Sequence, residues 1–146
     1  MDQVAYMKKE WGMLDKILSG EKKIESRWYK TKHSLWGKIK AGDRVFFKNS
    51  GEPITVVCKV YKVIKFESLT PEKVKEILDK YGQDDGISKE KIYYFYELFK
   101  EKKYCLLIFL TEVEKVESFE VDKTGFGQMA AWITVEDIGK IKKPLI

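Results

Sequence analysis

The sequence predicts an α+β fold, a mostly antiparallel, partly closed β-barrel with flanking helices. Segments of strand-like composition outnumber helical ones, and the helices fall between strands without a regular strand–helix–strand alternation. The glycine-rich loop Gly125-Phe126-Gly127 lacks a third glycine and comes too late to open a dinucleotide-binding unit. With 146 residues, 44% hydrophobic and 35% charged, the chain can bury a core without disulfide or metal staples, and one domain over 1–146 is expected.

Residues 4–7 read as a first strand. Trp11, Leu14 and Leu18 then recur at helical spacing, with Gly20 as the stop. β-Branched and aromatic residues make 24–29 extended, and the basic, aromatic stretch through Gly37 reads as a loop. Ala41-Gly42-Asp43 turns into a strand at 44–48, and Asn49-Ser50-Gly51 turns into a long strand at 54–66. A helical insertion follows at about 70–102. Thr70 and Pro71 take its N-cap and N1 positions, Val74, Ile77, Leu78 and Tyr81 share one face, and Gly82 ends the first helix. After the acidic loop 83–86, Ser88 caps a second helix whose Ile92, Phe95, Tyr96 and Phe99 form a stripe expected to face the core. Residues 104–110 form a continuous apolar run for a central strand, extended by alternation through 121, and 130–135 forms a short last strand that carries Trp132.

Composition excludes several classes of function. The formal net charge of +5 is mild for a nucleic-acid binder, because lysines and glutamates are densely mixed. Of the 28 basic residues only Arg27 and Arg44 are arginines, which points to a need for the planar guanidinium fork where it occurs. Cys58 and Cys105 lie far apart in apolar runs, as buried, reduced thiols do. His33 is the one histidine, so neither a structural zinc site nor a histidine-dependent triad is expected, and no cofactor is implied. With no apolar signal core and no run of membrane-spanning length, the chain reads as soluble and cytoplasmic.

The chemistry concentrates in residues 20–27. On an extended segment Glu25 and Arg27 share one face, while Ile24, Ser26 and Trp28 share the other. Residues two apart sit roughly 6.5 to 7 Å from each other, so a carboxylate and a guanidinium can grip one small ligand. Lys22, in the turn after Gly20, is free of that alternation and can point into the same cleft. Two cations and a carboxylate suit a nucleotide: Lys22 and Arg27 bind phosphate or carbonyl oxygens, and Glu25 accepts from an amino group. The competing reading is an ion-pair lattice of little energetic consequence on a Lys/Glu-rich surface.

Gly20, Lys22, Glu25 and Arg27 match every fixed position of the pattern G-x-K-x-x-E-x-R, and in this the chain resembles the ASCH domains of the PUA-like superfamily. The order of elements around the motif is similar too. The resemblance implies a PUA-like β-barrel whose motif lines a cleft, in a family proposed to bind RNA or nucleotides. Some ASCH proteins look like small amidohydrolases of acylated cytidine that use a lysine, a threonine and a distant glutamate, and others have been proposed as ribonucleases. Lys22 matches such a lysine, but Glu25 stands at the threonine position, so that hydroxyl is missing. Asp84 or Asp85 is a stand-in for the distant acid.

Beside the motif, Arg27, Trp28, Tyr29, Lys30, Lys32, His33, Trp36, Lys38 and Lys40 interleave cations with rings and include no acid. Aromatics stack bases and cations track phosphates in single-stranded nucleic acid. The alternative is that Trp28 and Trp36 are core residues and the lysines a solvated face. Trp132 is read as core rather than as a stacking platform. Three functions stand: an RNA- or nucleotide-binding module with Gly20, Lys22, Glu25, Arg27, Trp28 and Tyr29 at the ligand; a small hydrolase using Lys22 and Glu25; and a non-catalytic interaction protein in which the motif is structural.

Overall fold

The computed structural model describes residues 1–143. The last three residues of the expected 1–146 unit lie outside the described residues. In chain order the elements are β1 (Asp2–Met7), α1 (Met13–Ser19), β2 (Ile24–Tyr29), β3 (Arg44–Asn49), β4 (Ile54–Phe66), α2 (Pro71–Tyr81), α3 (Ile92–Phe99), β5 (Tyr104–Val121), β6 (Trp132–Val135) and β7 (Lys142–Lys143). Short 3-10 turns occupy Lys9–Trp11, Ser34–Gly37, Lys89–Lys91 and Ile138–Lys140.

Six strands form a strongly curled half-barrel in the order β2-β5-β4-β3-β1-β6, and β7 pairs with β5 off this path. All pairings are antiparallel except β1 with β3. The curl comes from the two longest strands. Between β4 and β5 the register shifts three times, at Ile54/Val56, Val57/Lys59 and Val60/Lys62, and each extra residue bends the strand and increases its twist. The apolar run and the alternating stretch read separately in the sequence are thus one strand, β5, whose first part pairs with β2 and whose end pairs with β7.

The strands β1, β3 and β6 are buried on both faces. Ala5, Met7, Val45, Phe47 and Trp132 enter the main core with the helices. Their alternates Val4, Phe46 and Ile133 enter a smaller core with Ile54, Phe119, Val121 and Ile138. This explains the uninterrupted Val45-Phe46-Phe47, since a strand covered on both sides has no solvent face to mark with polar residues.

The helices differ from the sequence expectation in one respect that matters for the site. Trp11 lies outside α1, because Gly12 adopts a left-handed φ of 65° and separates the 3-10 turn from the helix. The helical spacing of Trp11, Leu14 and Leu18 therefore spans two elements. Trp11 turns instead onto Phe95 of α3, edge to face with ring centroids 5.0 Å apart. In α2, Thr70 caps as expected, its hydroxyl accepting from the Lys73 amide at 3.2 Å. Ser88 makes no side-chain cap bond, and its helix opens with the Lys89–Lys91 turn before α3 begins at Ile92.

Candidate functional site

The motif is built around the end of α1. Gly20 takes a φ of 84° at the helix C-cap, and its N–H donates to the Ile17 carbonyl at 3.2 Å. Gly20 therefore shapes the turn and does not line the cleft. The reversal delivers Lys22 to the start of β2, and the acidic loop between α2 and α3 packs against it. The Asp84 carbonyl accepts from the amides of Lys23 and Ile24 at 2.7 and 3.0 Å, and the Gly86 carbonyl accepts from the Lys16 ammonium at 2.7 Å. Gly86 has to be glycine here: its φ is 80°, and a Cβ would stand 3.2 Å from Lys22 Cβ and Cδ and from Met13 Sδ.

A buried charged cluster results. Lys22 Nζ donates to the Ile24 carbonyl at 2.6 Å, the Asp85 carbonyl at 2.7 Å and Asp85 Oδ1 at 2.5 Å, and lies 3.1 Å from Glu25 Oε1. Glu25 Oε2 accepts from Arg27 through Nε at 2.9 Å and Nη2 at 2.8 Å. Lys22, Glu25 and Asp85 are each no more than 5% exposed. Burial alone would pull the Lys22 ammonium down, but Asp85 and Glu25 hold it above the ordinary lysine value. Burial pushes Glu25 upward, and Lys22 with Arg27 overcomes this and holds it below the usual carboxylate range. Asp85 stays above that range, because burial and repulsion by Glu25 outweigh the pull of Lys22. The cluster has two cations against two carboxylates, of which Asp85 is the more readily protonated.

Arg27 has a second role. Strands β2 and β6 are the two ends of the sheet path, and no ladder joins them. Across the gap Arg27 Nη2 lies 3.3 Å from the Tyr6 carbonyl and Nη1 lies 3.4 Å from the Ala131 carbonyl, and the guanidinium sits 4.9 Å from the centre of the Trp132 ring. A planar fork with five donors can reach acceptors on both edges at once, which an ammonium cannot. The Trp132 indole donates to Gln3 Oε1 at 2.8 Å and is buried, so it belongs to the core, with its exposed side covered by Arg27.

The other face of β2 is not purely apolar. Ser26 Oγ donates to Asp85 Oδ2 at 2.5 Å and accepts from Trp28 Nε1 at 3.0 Å. Trp28 in turn stacks flat on Phe99, with centroids 4.7 Å apart and planes 6° apart. These residues line a cleft of about 450 Å³ that has Lys22, Glu25, Ser26, Arg27 and Asp85 on its charged side and Trp11, Trp28, Phe95 and Phe99 on its aromatic side. Met7, Met129 and Ala131 complete the rim. The α3 stripe expected to be core thus serves both ends: Phe95 is buried in the main core, and Phe95 and Phe99 also wall the cleft.

Of the sequence candidates, Lys22, Glu25, Arg27 and Trp28 meet at this cleft. Tyr29 stacks on His33 at 4.4 Å, away from the cleft lining. Lys30, Lys32, Lys38 and Lys40 are exposed beyond it. Trp36 packs edge-on against Tyr104, with the ammoniums of Lys32 and Lys65 at 5.6 and 5.7 Å from its ring. Sequence reasoning missed Ser26 and the cleft role of Phe99, and it left Asp84 and Asp85 undivided. The apolar Ile87 that follows Asp85-Gly86 carries the one available signal, since its burial turns the loop inward there.

No protein-family model matches the sequence, and no curated protein matches it. Solved structures do. The ASCH protein of Zymomonas mobilis superposes with a TM-score of 0.67 over 98% of this chain and 96% of that one, at 11% identity. The fold is that of an ASCH domain. The ASCH domain of Lactobacillus crispatus is similar over 77% of this chain and 80% of that one, with a TM-score of 0.50 and 15% identity. A protein of Enterococcus faecalis is similar over 77% and 76%, with a TM-score of 0.53 and 15% identity. Within this ASCH fold, no group of three or more metal-ligating side chains occurs among the described residues. No helix among them is long and apolar enough to cross a membrane.

Proposed function

We propose that the cleft binds a nucleotide, free or within single-stranded RNA, as the ASCH fold suggests for the class. The observation that carries this reading is the pairing of an aromatic wall with a charged row across one cleft. Rings offer a base a stacking surface whatever its identity, and the polar row offers donors and acceptors to its edge. Lys22 spends its N–H groups on four internal acceptors and acts as the strut of the site. Arg27 Nη1, with only a 3.4 Å contact to the Ala131 carbonyl, has capacity for a ligand oxygen, and Lys8 and Ser50 at the rim add a cation and a hydroxyl. The exposed Lys30, Lys32, Lys38 and Lys40 and the half-buried Trp36 hold the strand where it leaves the cleft.

Replacing Arg27 with alanine is expected to weaken binding of short RNA by about 10- to 100-fold, the value of a hydrogen bond or two to a charged group. Fluorescence anisotropy at several salt concentrations measures it, and wild type is expected to lose affinity as salt rises. Absence of association with any RNA or nucleotide pool at low salt refutes the proposal.

One observation favours hydrolysis as a second reading. The hydroxyl missing at Glu25 is supplied one residue later by Ser26, bonded to a carboxylate whose proton affinity is raised and which lies against Lys22. Asp85 would take the hydroxyl proton as Ser26 Oγ attacks an acyl carbon, return it to the nucleoside amine as the C–N bond breaks, and then take a proton from the water that releases the acyl group from Ser26 as a carboxylic acid. Glu25, held ionised between two cations, is unsuited to donate a proton. Acylated nucleosides incubated with wild type and with Ser26→Ala decide this: turnover lost in the variant supports it, and equal turnover in both removes Ser26 from any mechanism.

A further inference from the structure

A second group of cations stands on the face of β1 turned away from the cleft. Tyr6 and Lys48 are register partners in the parallel β1–β3 pair, so their side chains leave the same face, opposite to Met7, which touches Arg27. The Lys48 ammonium lies 5.1 Å from the centre of the Tyr6 ring, and the Lys123 ammonium lies 4.1 Å from it. The Lys48 side chain is only 8% exposed. Its one ionic partner among the described residues is Glu120 at 3.6 Å, beyond hydrogen-bond range. Burial is the larger influence pulling the Lys123 ammonium down, and repulsion by Lys48 adds to it.

The Lys123 ammonium also donates to the Gln128 carbonyl at 2.8 Å, which leaves two positive charges around one ring with a single, distant carboxylate to balance them. The neighbouring groove, about 510 Å³, is lined by Lys123, Thr124, Gly125, Gly127, Gln128 and Lys143. Gly125 and Gly127 take left-handed φ values of 87° and 88°. No backbone acceptor among the described residues takes the N–H of Gly125, Gly127 or Gln128. Amides turned together by left-handed residues form a concavity suited to anions. The second nearby acid, Asp122, is engaged by the Thr124 amide at 2.9 Å.

We propose that this groove is a phosphate site separate from the cleft, with Lys123 and Lys143 as its lining cations, the Thr124 hydroxyl and the glycine-loop amides around the oxygens, and Lys48 adding positive charge from beside the Tyr6 ring. A phosphate ester matches it better than a carboxylate, because it brings about two negative charges and three acceptor oxygens to several donors. The phosphate comes from a free ester or from the backbone of a nucleic-acid strand.

The test follows backbone amide resonances of the full chain during titration with inorganic phosphate, with pyrophosphate and, separately, with a short RNA. Saturable shifts at Gly125, Gly127 and Gln128 are expected with inorganic phosphate or pyrophosphate for a free ester, and with RNA for a strand. Lys123→Gln is expected to weaken the response at least 10-fold and, for RNA, to lower the salt slope by about one unit. Arg27→Ala is expected to leave the phosphate response intact. The proposal is overturned if none of the three ligands shifts these amides, if folded Lys123→Gln responds as wild type does, or if Arg27→Ala abolishes the response. Absence of nucleotide binding at the cleft of the wild-type protein, with the loop response present, would refute the cleft reading alone.

Discussion

Replacing Lys22 with methionine is expected to destabilise the fold by about 3 to 5 kcal/mol at neutral pH, the range for removing one member of a buried ion pair. Methionine fills much of the volume, so the loss is electrostatic rather than a cavity. Without the ammonium, Asp85 loses its one nearby cation, Glu25 keeps only Arg27, and two backbone carbonyls lose a donor. The pH dependence identifies the cause. In wild type the Glu25 pKa is depressed on folding, so its contribution is present above the unfolded value and lost as pH falls through the folded one. Asp85 runs the other way: its folded pKa is raised, and stability is lost as pH rises through it. Lys22 is raised, so its contribution is present below the unfolded lysine value and lost only in strong alkali. In Lys22→Met both carboxyl pKa values move up, and protonation relieves the defect. Urea unfolding of both proteins is therefore expected to show a deficit that shrinks as pH falls toward the carboxylate range. A deficit equal at pH 4 and pH 7 would contradict the electrostatic account.

Replacing Trp28 with alanine is expected to be as damaging to stability, by about 3 to 5 kcal/mol, and to weaken ligand binding as well. Trp28 is buried, lies flat on Phe99 and donates to Ser26, so one side chain ties the aromatic wall to the charged row. Its loss opens a void, frees Phe99 and leaves Ser26 without its donor. Trp28→Phe separates these roles. It keeps a ring on Phe99 and lacks the indole N–H, so a stability loss nearer to one hydrogen bond, about 1 kcal/mol, is expected beyond the volume change. Base stacking contributes about 1 to 3 kcal/mol per base. Nucleotide affinity should therefore survive in Trp28→Phe and fall about 5- to 150-fold in Trp28→Ala, measured by calorimetry on protein checked to be folded. Equal affinity in the two variants would remove Trp28 from the ligand.

Much of this architecture was legible in local sequence because local physics decides it. Thr70-Pro71 opens α2, the left-handed Gly20 stops α1, and the segment 24–29, with Ile24, Trp28 and Tyr29, is a strand. Alternation along that strand put Glu25 and Arg27 on one face, and they do pair. Helical periodicity was misleading only at Trp11, where Gly12 breaks the helix that the spacing implied.

The sequence by itself determined where the chemistry concentrates: the Gly20-to-Arg27 motif, with Lys22, Glu25 and Arg27, lies within eight successive residues. What only the tertiary structure decided is their balance. Asp85 lies 63 positions beyond Lys22 and reaches it because the α2–α3 loop folds back onto β2. Ser26 gains chemical meaning only from that same carboxylate. Arg27 spans the open edges of the half-barrel because curling brings β2 opposite Tyr6 and Ala131. Coulomb and hydrogen-bond partners are chosen by distance in space, and the bulges that bend β4 and β5 set that distance far from the residues that meet.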